Sequence, residues 1–336
     1  MTMRSKLTTS VADVRRAVRE SFERHGIAAG DKVLVACSGG PDSMALAAAL
    51  AFEGPKLELV LGAVIVDHGI QDATAQVALD AKAQLEELGF SSVEIVRVEV
   101  GSEGGLEAAA RSARYEAIDE VAAAVDARYV LLGHTLNDQA ETVLLGLARG
   151  SGARSLSGMA ELTGRYLRPL LGLSRETTVQ ACQDAGLKVW NDPHNSEERF
   201  SRVRVREQVL PVLETELGPG VVEALARTSD QLREDADYLD LQAEQAYQRL
   251  VQSGPTSLSF EVTALADLAP AIRYRVFRLA GTTLGGHLHR SHVLEIDRLL
   301  TNWHGQKPLA VPSVRVERTG ENIVFRSTKT LKPGAC

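Results

Sequence analysis

The segment VLVACSGGPDSM, residues 33–44, carries the plainest chemistry in the chain. An apolar, β-branched run ends in Ser38, Gly39 and Gly40, and a helix-forming run begins at once. Two glycines let the backbone come close to a ligand and aim successive N–H groups at it. A helix start adds partial positive charge. Pro41 suits the first helical turn, where its missing N–H costs nothing. Ser38 and Ser43 bring hydroxyls for phosphate oxygens. Asp42 would repel a bare phosphate, which calls for a divalent cation between the two; Mg²⁺ on nucleotide phosphates fits. The spacing and lysine of a Walker A loop are absent. The bland alternative is a helix start whose glycines serve only a tight turn.

Other polar residues fall at places where ligands collect. Asp138 and Glu141 are three apart and share one helix face near its N-terminus. Such a pair suits an ammonium ligand, although the helix dipole alone favours acids there. Asp67 and His68 close one apolar strand, and Gly133 and His134 close another. In an open parallel sheet these ends face the ligand crevice, though a histidine there also serves as a cap or a satisfied core residue. Arg111 and Arg114 lie on one face of an Ala-rich helix. Arg199, Arg202 and Arg206 are spaced by three and four, as on a single helical face. They suit phosphate contacts or, equally, a salt-bridged surface with Glu197, Glu198 and Glu207.

The elements that must position these residues alternate along the first 200 positions. Strands are expected at Lys32–Ala36, Leu57–Asp67, Val93–Val100 and Tyr129–Gly133. Helices are expected at about 10–25, then Met44–Phe52, Asp72–Leu88, Glu103–Ala127 and Asn137–Arg149. This order predicts an α/β fold, a doubly wound parallel sheet with helices on both faces. Gly218-Pro219-Gly220 and Gly254-Pro255 are breaks. Between them Val221–Leu250 reads as one long acidic helix. The expected domains are 1–216 for catalysis, 217–254 as a helical linker, 255–326 as a smaller helical/α+β domain, and 327–336 as a disordered tail.

Composition bounds the class. Of 336 residues, 44% are hydrophobic and 24% charged, which excludes a fibrous or mostly disordered chain. No membrane span or secretory signal is expected. Cys37, Cys182 and Cys336 form neither a disulfide framework nor a metal motif, so a cytoplasmic protein is expected. The net charge of −7 argues, taken alone, against a nucleic-acid partner. The average hides two signs: residues 1–110 hold 10 basic and 16 acidic side chains, whereas 271–318 hold 8 basic and 3 acidic ones plus four histidines.

The SGGPDS loop resembles that of the PP-loop ATP pyrophosphatases (adenine nucleotide alpha hydrolase-like), which cleave ATP between the α and β phosphates. Further segments narrow the likeness: Val66–Ile70 (VDHGI), Glu107–Tyr115, Gly133–Thr142 (GHTLNDQAET), Arg149–Gly152, Arg168–Leu171 and Asp192–Asn195. In this order, across about 33–213, they are similar to the tRNA(Ile)-lysidine synthase family. His292-Val293 and Asn302–Gln306 look like that family's second, substrate-binding domain.

The resemblance implies that ATP adenylates the wobble cytidine of the CAU anticodon of tRNA(Ile), and that free L-lysine then displaces AMP. It implies ATP contacts at Ser38, Gly39, Gly40, Pro41, Asp42, Ser43, Asp67, His68 and Gly133, with Asp42 as metal ligand. Asp138 and Glu141 would hold lysine, and Asp138 or His134 would take its proton. Arg111 would neutralise charge near the phosphates or the lysine carboxylate. Arg199, Arg202 and Arg206 would meet tRNA phosphate or the ATP site, and the basic stretch 273–298 would hold the tRNA stem. Two departures stand out: Asn137 where the family often has an acid, and Gln71 where a basic residue often follows VDHG. The chain resembles shorter members, and a homodimer or a monomer both remain open. The competing readings are another AMP-forming PP-loop enzyme such as a tRNA thiolase, and a non-catalytic adenine-nucleotide module.

Overall fold

The computed structural model describes residues 7–67, 72–98, 106–150, 152–190, 197 and 199–328. The expected tail therefore lies largely outside the described residues, as do His68 and Asp192–Asn195. The chain divides into two compact units, Met1–Leu232 and Arg233–Cys336.

The first unit follows the β-α alternation. After α1 (Thr9–Arg24) come β1 (Lys32–Ala36), α2 (Pro41–Glu53), β2 (Val60–Asp67), α3 (Asp72–Glu87), β3 (Ser92–Arg97), α4 (Leu106–Ala124), β4 (Tyr129–Leu132) and α5 (Leu136–Ala148). A short helix α6 (Ala153–Leu156), a hairpin of β5 (Leu162–Thr163) and β6 (Tyr166–Leu167), and α7 (Arg175–Asp184) follow. The sheet order is β3-β2-β1-β4-β6-β5, parallel except for β5. Side chains alternate between its faces, and both faces are apolar. Val33, Val35, Ala63, Ile65 and Leu131 pack with α1, α2, α3 and α7. Leu34, Val64, Val130 and Leu132 pack with Ile118 and Ala122 of α4. Helices on both faces are what such continuous apolar strands require.

Strand order reverses between β1 and β4, so the crevice opens above their C-terminal ends. Helix α8 (Ser201–Arg204) and α9 (Leu210–Leu217) are joined without a break by a π-helical turn, Val205–Val209. Helix α10 (Val221–Leu250) carries the boundary between the units. Its Ala226 and Ser229 are buried in the first unit, and its Ala243, Ala246 and Tyr247 join the core of the second.

The second unit has an antiparallel sheet in the order β7 (Gln252–Ser253), β8 (Ser257–Glu261), β11 (Asn322–Ser327), β10 (Val314–Thr319) and β9 (Leu309–Val311). Helices α11 (Val262–Ala266), α12 (Pro270–Thr283) and α13 (Arg290–Thr301) cover it around Phe260, Phe277 and Phe325. Among the described residues no helix is long and apolar enough to cross a membrane.

Candidate active site

The loop after β1 is folded around Ser43. The Ser38 N–H donates to Ser43 Oγ at 3.2 Å, Ser43 Oγ donates to the Gly40 carbonyl at 3.0 Å, and the Gly40 N–H reaches Ser38 Oγ at 3.4 Å. Gly39 has φ +79°, a left-handed conformation that favours glycine. Its carbonyl accepts the Trp190 N–H at 2.9 Å, which straps the loop from outside. Gly40 caps α2 with no side-chain partner and Pro41 starts the helix, so the first-turn N–H groups lack intrahelical carbonyls. The second glycine of consequence is Gly133. A Cβ there would lie 2.9 Å from the backbone carbon and oxygen of Asp42. The loops after β1 and β4 are therefore pressed together at the point where strand order reverses.

Helix α5 begins with a capping box. Asp138 Oδ2 accepts the Thr135 N–H at 2.8 Å and the Thr135 hydroxyl at 2.9 Å. Asp138 Oδ1 lies 3.4 Å from Arg175 Nη2 and 3.7 Å from Arg206 Nη2. Burial works to raise this carboxyl, and Arg175, the capping N–H and Arg206 outweigh it, so it sits below the usual carboxylate range. Glu141 is fully buried and takes a bidentate contact from Arg206, at 2.6 and 3.1 Å. Arg202 Nε stands 3.6 Å away. Burial pushes the Glu141 carboxyl up, and the Arg206 guanidinium draws it back.

Arg206 owes its position to the π-helical turn, a widening often found at functional sites. Arg199 is different: it precedes the helix, is exposed, and pairs with Glu197. The helical face expected for three arginines thus holds two.

His134 is held neutral. Burial lowers its pKa to about 4; Asp138 opposes this, and Arg168, Arg111 and Arg202 add to it. Its Nδ1 is buried with no hydrogen-bond partner among the described residues. Arg111 thus lies close enough to act on His134, while its own guanidinium is exposed and rests on the Tyr115 ring, 4.9 Å from the centroid. Asp67 is buried and accepts a 2.7 Å hydrogen bond from Thr74 of α3, which gives it a structural partner at the strand end.

Arg175 and Thr178, absent from the sequence expectations, belong to this cluster. Arg175 Nε lies 3.3 Å from Asp42 Oδ2, and Thr178 Oγ1 bonds to Asp42 Oδ1. Burial raises the Asp42 carboxyl against the pull of Arg175. Among the described residues no three His, Cys, Asp or Glu side chains could hold a metal. Asp42 is the carboxylate at the loop, with Arg175 and Thr178 on its two oxygens; a Mg²⁺ that takes most of its ligands from phosphate and water needs only one or two carboxylates.

The cysteines do not suit sulfur transfer. Burial pushes the Cys182 thiol up to about 12, and that thiol donates to the Pro41 carbonyl. Cys37 is also raised by burial and sits against Met44 Sδ at 3.5 Å. Cys336 lies outside the described residues.

In the second unit the basic stretch splits. Arg273 is buried, bonds Asp297 at 2.7 Å and caps the Leu268 carbonyl at 2.8 Å, so it is not free to hold a stem. Arg290 and Arg298 are exposed. Burial lowers the Arg278 guanidinium, and neighbouring Arg275 and Arg290 lower it further, as in a local basic patch.

A family model for the PP-loop domain matches residues 10–213, and one for the TilS substrate binding domain matches 260–322. The tRNA(Ile)-lysidine synthase of Leifsonia xyli is 53% identical over 303 residues, covering 90% of this chain and 91% of the relative. That of Thermobifida fusca is 53% identical over 320 residues, covering 94% and 97%. Among solved structures, a U34-tRNA thiolase from Methanococcus maripaludis with its 4Fe-4S cluster aligns with a TM-score of 0.56 at 20% identity. It covers 67% of this chain and 80% of its own. At that identity the likeness speaks for the fold alone.

Proposed function

We infer the function from one premise: this chain belongs to the tRNA(Ile)-lysidine synthase family. It is an ATP-dependent ligase that forms lysidine on tRNA(Ile), and the thiolase and nucleotide-module readings are not favoured. The observation that carries the finer assignment is the contact of Gly133 with the Asp42 backbone, which joins the phosphate loop to His134, Asp138 and Glu141 in one crevice.

In our reading the triphosphate lies on the loop Ser38–Ser43. The N–H groups at the start of α2 and the Ser38 and Ser43 hydroxyls receive its oxygens. The C2 oxygen of the wobble cytidine, in a CAU anticodon, forms a bond to the α-phosphorus, and pyrophosphate leaves with the electron pair. Asp42 would hold a Mg²⁺ shared with the phosphates, whose charge offsets the growing negative charge on the leaving group. A single-stranded loop base reaches such a site without opening a duplex.

Free lysine then enters beside α5. Asp138, kept ionised, suits its ammonium group, whose reference pKa is about 10.4, while Glu141 holds Arg206 beside it. That ammonium first gives one proton to solvent; the neutral amine then attacks C2, and AMP departs with the C2–O electron pair. Once bonded to the ring, the nitrogen is far more acidic, so a weak base suffices. The unpartnered Nδ1 of neutral His134 is the acceptor we assign. Arg111 supplies positive charge at the same side, for phosphate or for the lysine carboxylate. The second unit holds the tRNA through phosphates, with Arg290 and Arg298 exposed for it.

The test is an incubation of the protein with ATP, Mg²⁺, labelled lysine and isoleucine tRNA bearing CAU. Label should enter the tRNA with one AMP and one pyrophosphate per lysine. Asp42→Ala is expected to abolish AMP release, and Asp138→Ala to leave tRNA adenylation while blocking lysine transfer. Folded protein that releases AMP without lysine transfer to this tRNA would end the reading.

A further inference from the structure

Arg175 sits where two substrates must meet. Its own backbone N–H donates to Asn137 Oδ1 at 2.9 Å, and the Leu136 N–H donates to the Leu173 carbonyl at 2.9 Å. The starts of α5 and α7 are therefore stitched together, and the Arg175 side chain emerges between the two candidate substrate sites. One guanidinium then spans Asp42, at 3.3 Å, and Asp138, at 3.4 Å. Both distances exceed the roughly 2.7–2.9 Å of a strong charge-assisted hydrogen bond. The cation is shared and held tightly by neither partner.

The oxygen it occupies matters. Asp138 Oδ2 is consumed by the capping box with Thr135, which leaves Oδ1 as the oxygen able to receive a ligand. Oδ1 is the atom that faces Arg175. Glu141 cannot substitute, because Arg206 already bonds both of its oxygens. An incoming ammonium group and the Arg175 guanidinium therefore compete for one carboxylate oxygen, and like charges repel at that range.

We propose that Arg175 is a positioning residue that makes lysine binding wait for nucleotide, holding the ammonium place on Asp138 until a bound triphosphate draws its guanidinium away. The Nε edge already rests on the phosphate-loop aspartate, so the travel is short. A triphosphate carries several negative charges where Asp138 carries one, so the guanidinium follows the phosphates. Asp138 Oδ1 then keeps only the more distant Arg206, at 3.7 Å and itself held by Glu141, and can receive the lysine ammonium. The order avoids lysine filling the site before there is an adenylated base to attack. The proposal rests on lysine being the second substrate.

The experiment is calorimetric titration of lysine into the full chain, with and without Mg²⁺ and a non-hydrolysable ATP analogue. In the unsubstituted protein the analogue should tighten lysine by about tenfold, within the ordinary range of coupling between two sites. In Arg175→Ala the nucleotide-free protein should bind lysine several-fold tighter than the unsubstituted one, and the effect of the analogue should fall below about twofold. Arg175→Lys keeps the charge but cannot span two carboxylates, and should restore part of the coupling. Arg175→Gln, which keeps the length, replaces the alanine variant if that one fails to fold.

A purely structural arginine predicts the opposite sign: weaker lysine binding in both states. That result overturns the proposal, as does lysine affinity in the unsubstituted protein that ignores the analogue. If the analogue binds and lysine never does, lysine as second substrate falls, and this proposal falls with it.

Discussion

The two units place arginine in opposite ways. In the first, which begins with an acidic excess, Arg175, Arg202 and Arg206 turn inward onto Asp42, Asp138 and Glu141. In the second, which carries the basic excess, Arg273 is spent on Asp297 and a helix end, while Arg290 and Arg298 stay at the surface. The charge balance of a segment therefore does not say where charge acts. The acidic unit gathers Arg175, Arg202 and Arg206 at one crevice, where burial strengthens each pairing. The basic unit keeps only part of its surplus available to a polyanion.

The sharpest way to break this contrast is at Glu141. Glu141→Gln removes one partner of a buried pair and leaves Arg206 and Arg202 without their counter-charge. The expected cost is roughly 3–5 kcal/mol of stability, measured by urea denaturation, with loss of lysine transfer. A variant as stable as the parent would show that the crevice pairing is not structural.

Next comes the contact between the two loops. Gly133→Ala drives a methyl group against the Asp42 backbone, an overpacking that costs about 1–3 kcal/mol. Weaker ATP binding should accompany it, read by calorimetry. Unchanged nucleotide affinity would separate the loop after β4 from the phosphate site.

Acid should act on the first unit through His134. Its pKa is about 4 in the folded chain against 6.5 for an ordinary histidine. Between those values the unfolded chain binds the extra proton, so stability rises with pH across that window and this contribution is complete above it. Denaturation midpoints of the protein and of His134→Asn, compared at pH 7 and pH 5, should converge as pH falls. Parallel pH profiles would mean that His134 is not held neutral.

The smallest effect is expected in the second unit. Arg290→Ala or Arg298→Ala should weaken tRNA binding modestly and lower the salt slope of log K by about one for each phosphate no longer neutralised. Stability should not change, since both side chains are exposed. A drop in stability instead would make these arginines like Arg273 and erase the contrast.

Much of the framework was legible in the sequence. Strand β1 falls at Lys32–Ala36 as expected, and α10 at Val221–Leu250, because apolar run length and glycine breaks are local signals. The glycine turn into α2 was legible for the same reason: its glycines, proline and serines act within six residues. Arg175 and Thr178 were not, because their partners lie 133, 37 and 136 positions away. A weak pointer existed in Ser174, an N-cap that starts α7 just after the Arg168–Leu171 segment. The three-arginine face failed at Arg199 because the helix starts only at Ser201, and terminal residues are the least predictable part of an element.

The sequence by itself determined the β-α order, the glycine turn that starts α2 and the residue types available for chemistry. Those depend on propensity and periodicity among near neighbours. The tertiary structure alone decided which carboxylate meets which arginine, that Asp138 Oδ1 lies outside the capping box, and that burial lowers the His134 pKa. Such choices follow from strand order, which brings the ends of β1 and β4 together, and from burial, which turns a few ångströms of separation into a decisive difference in charge state.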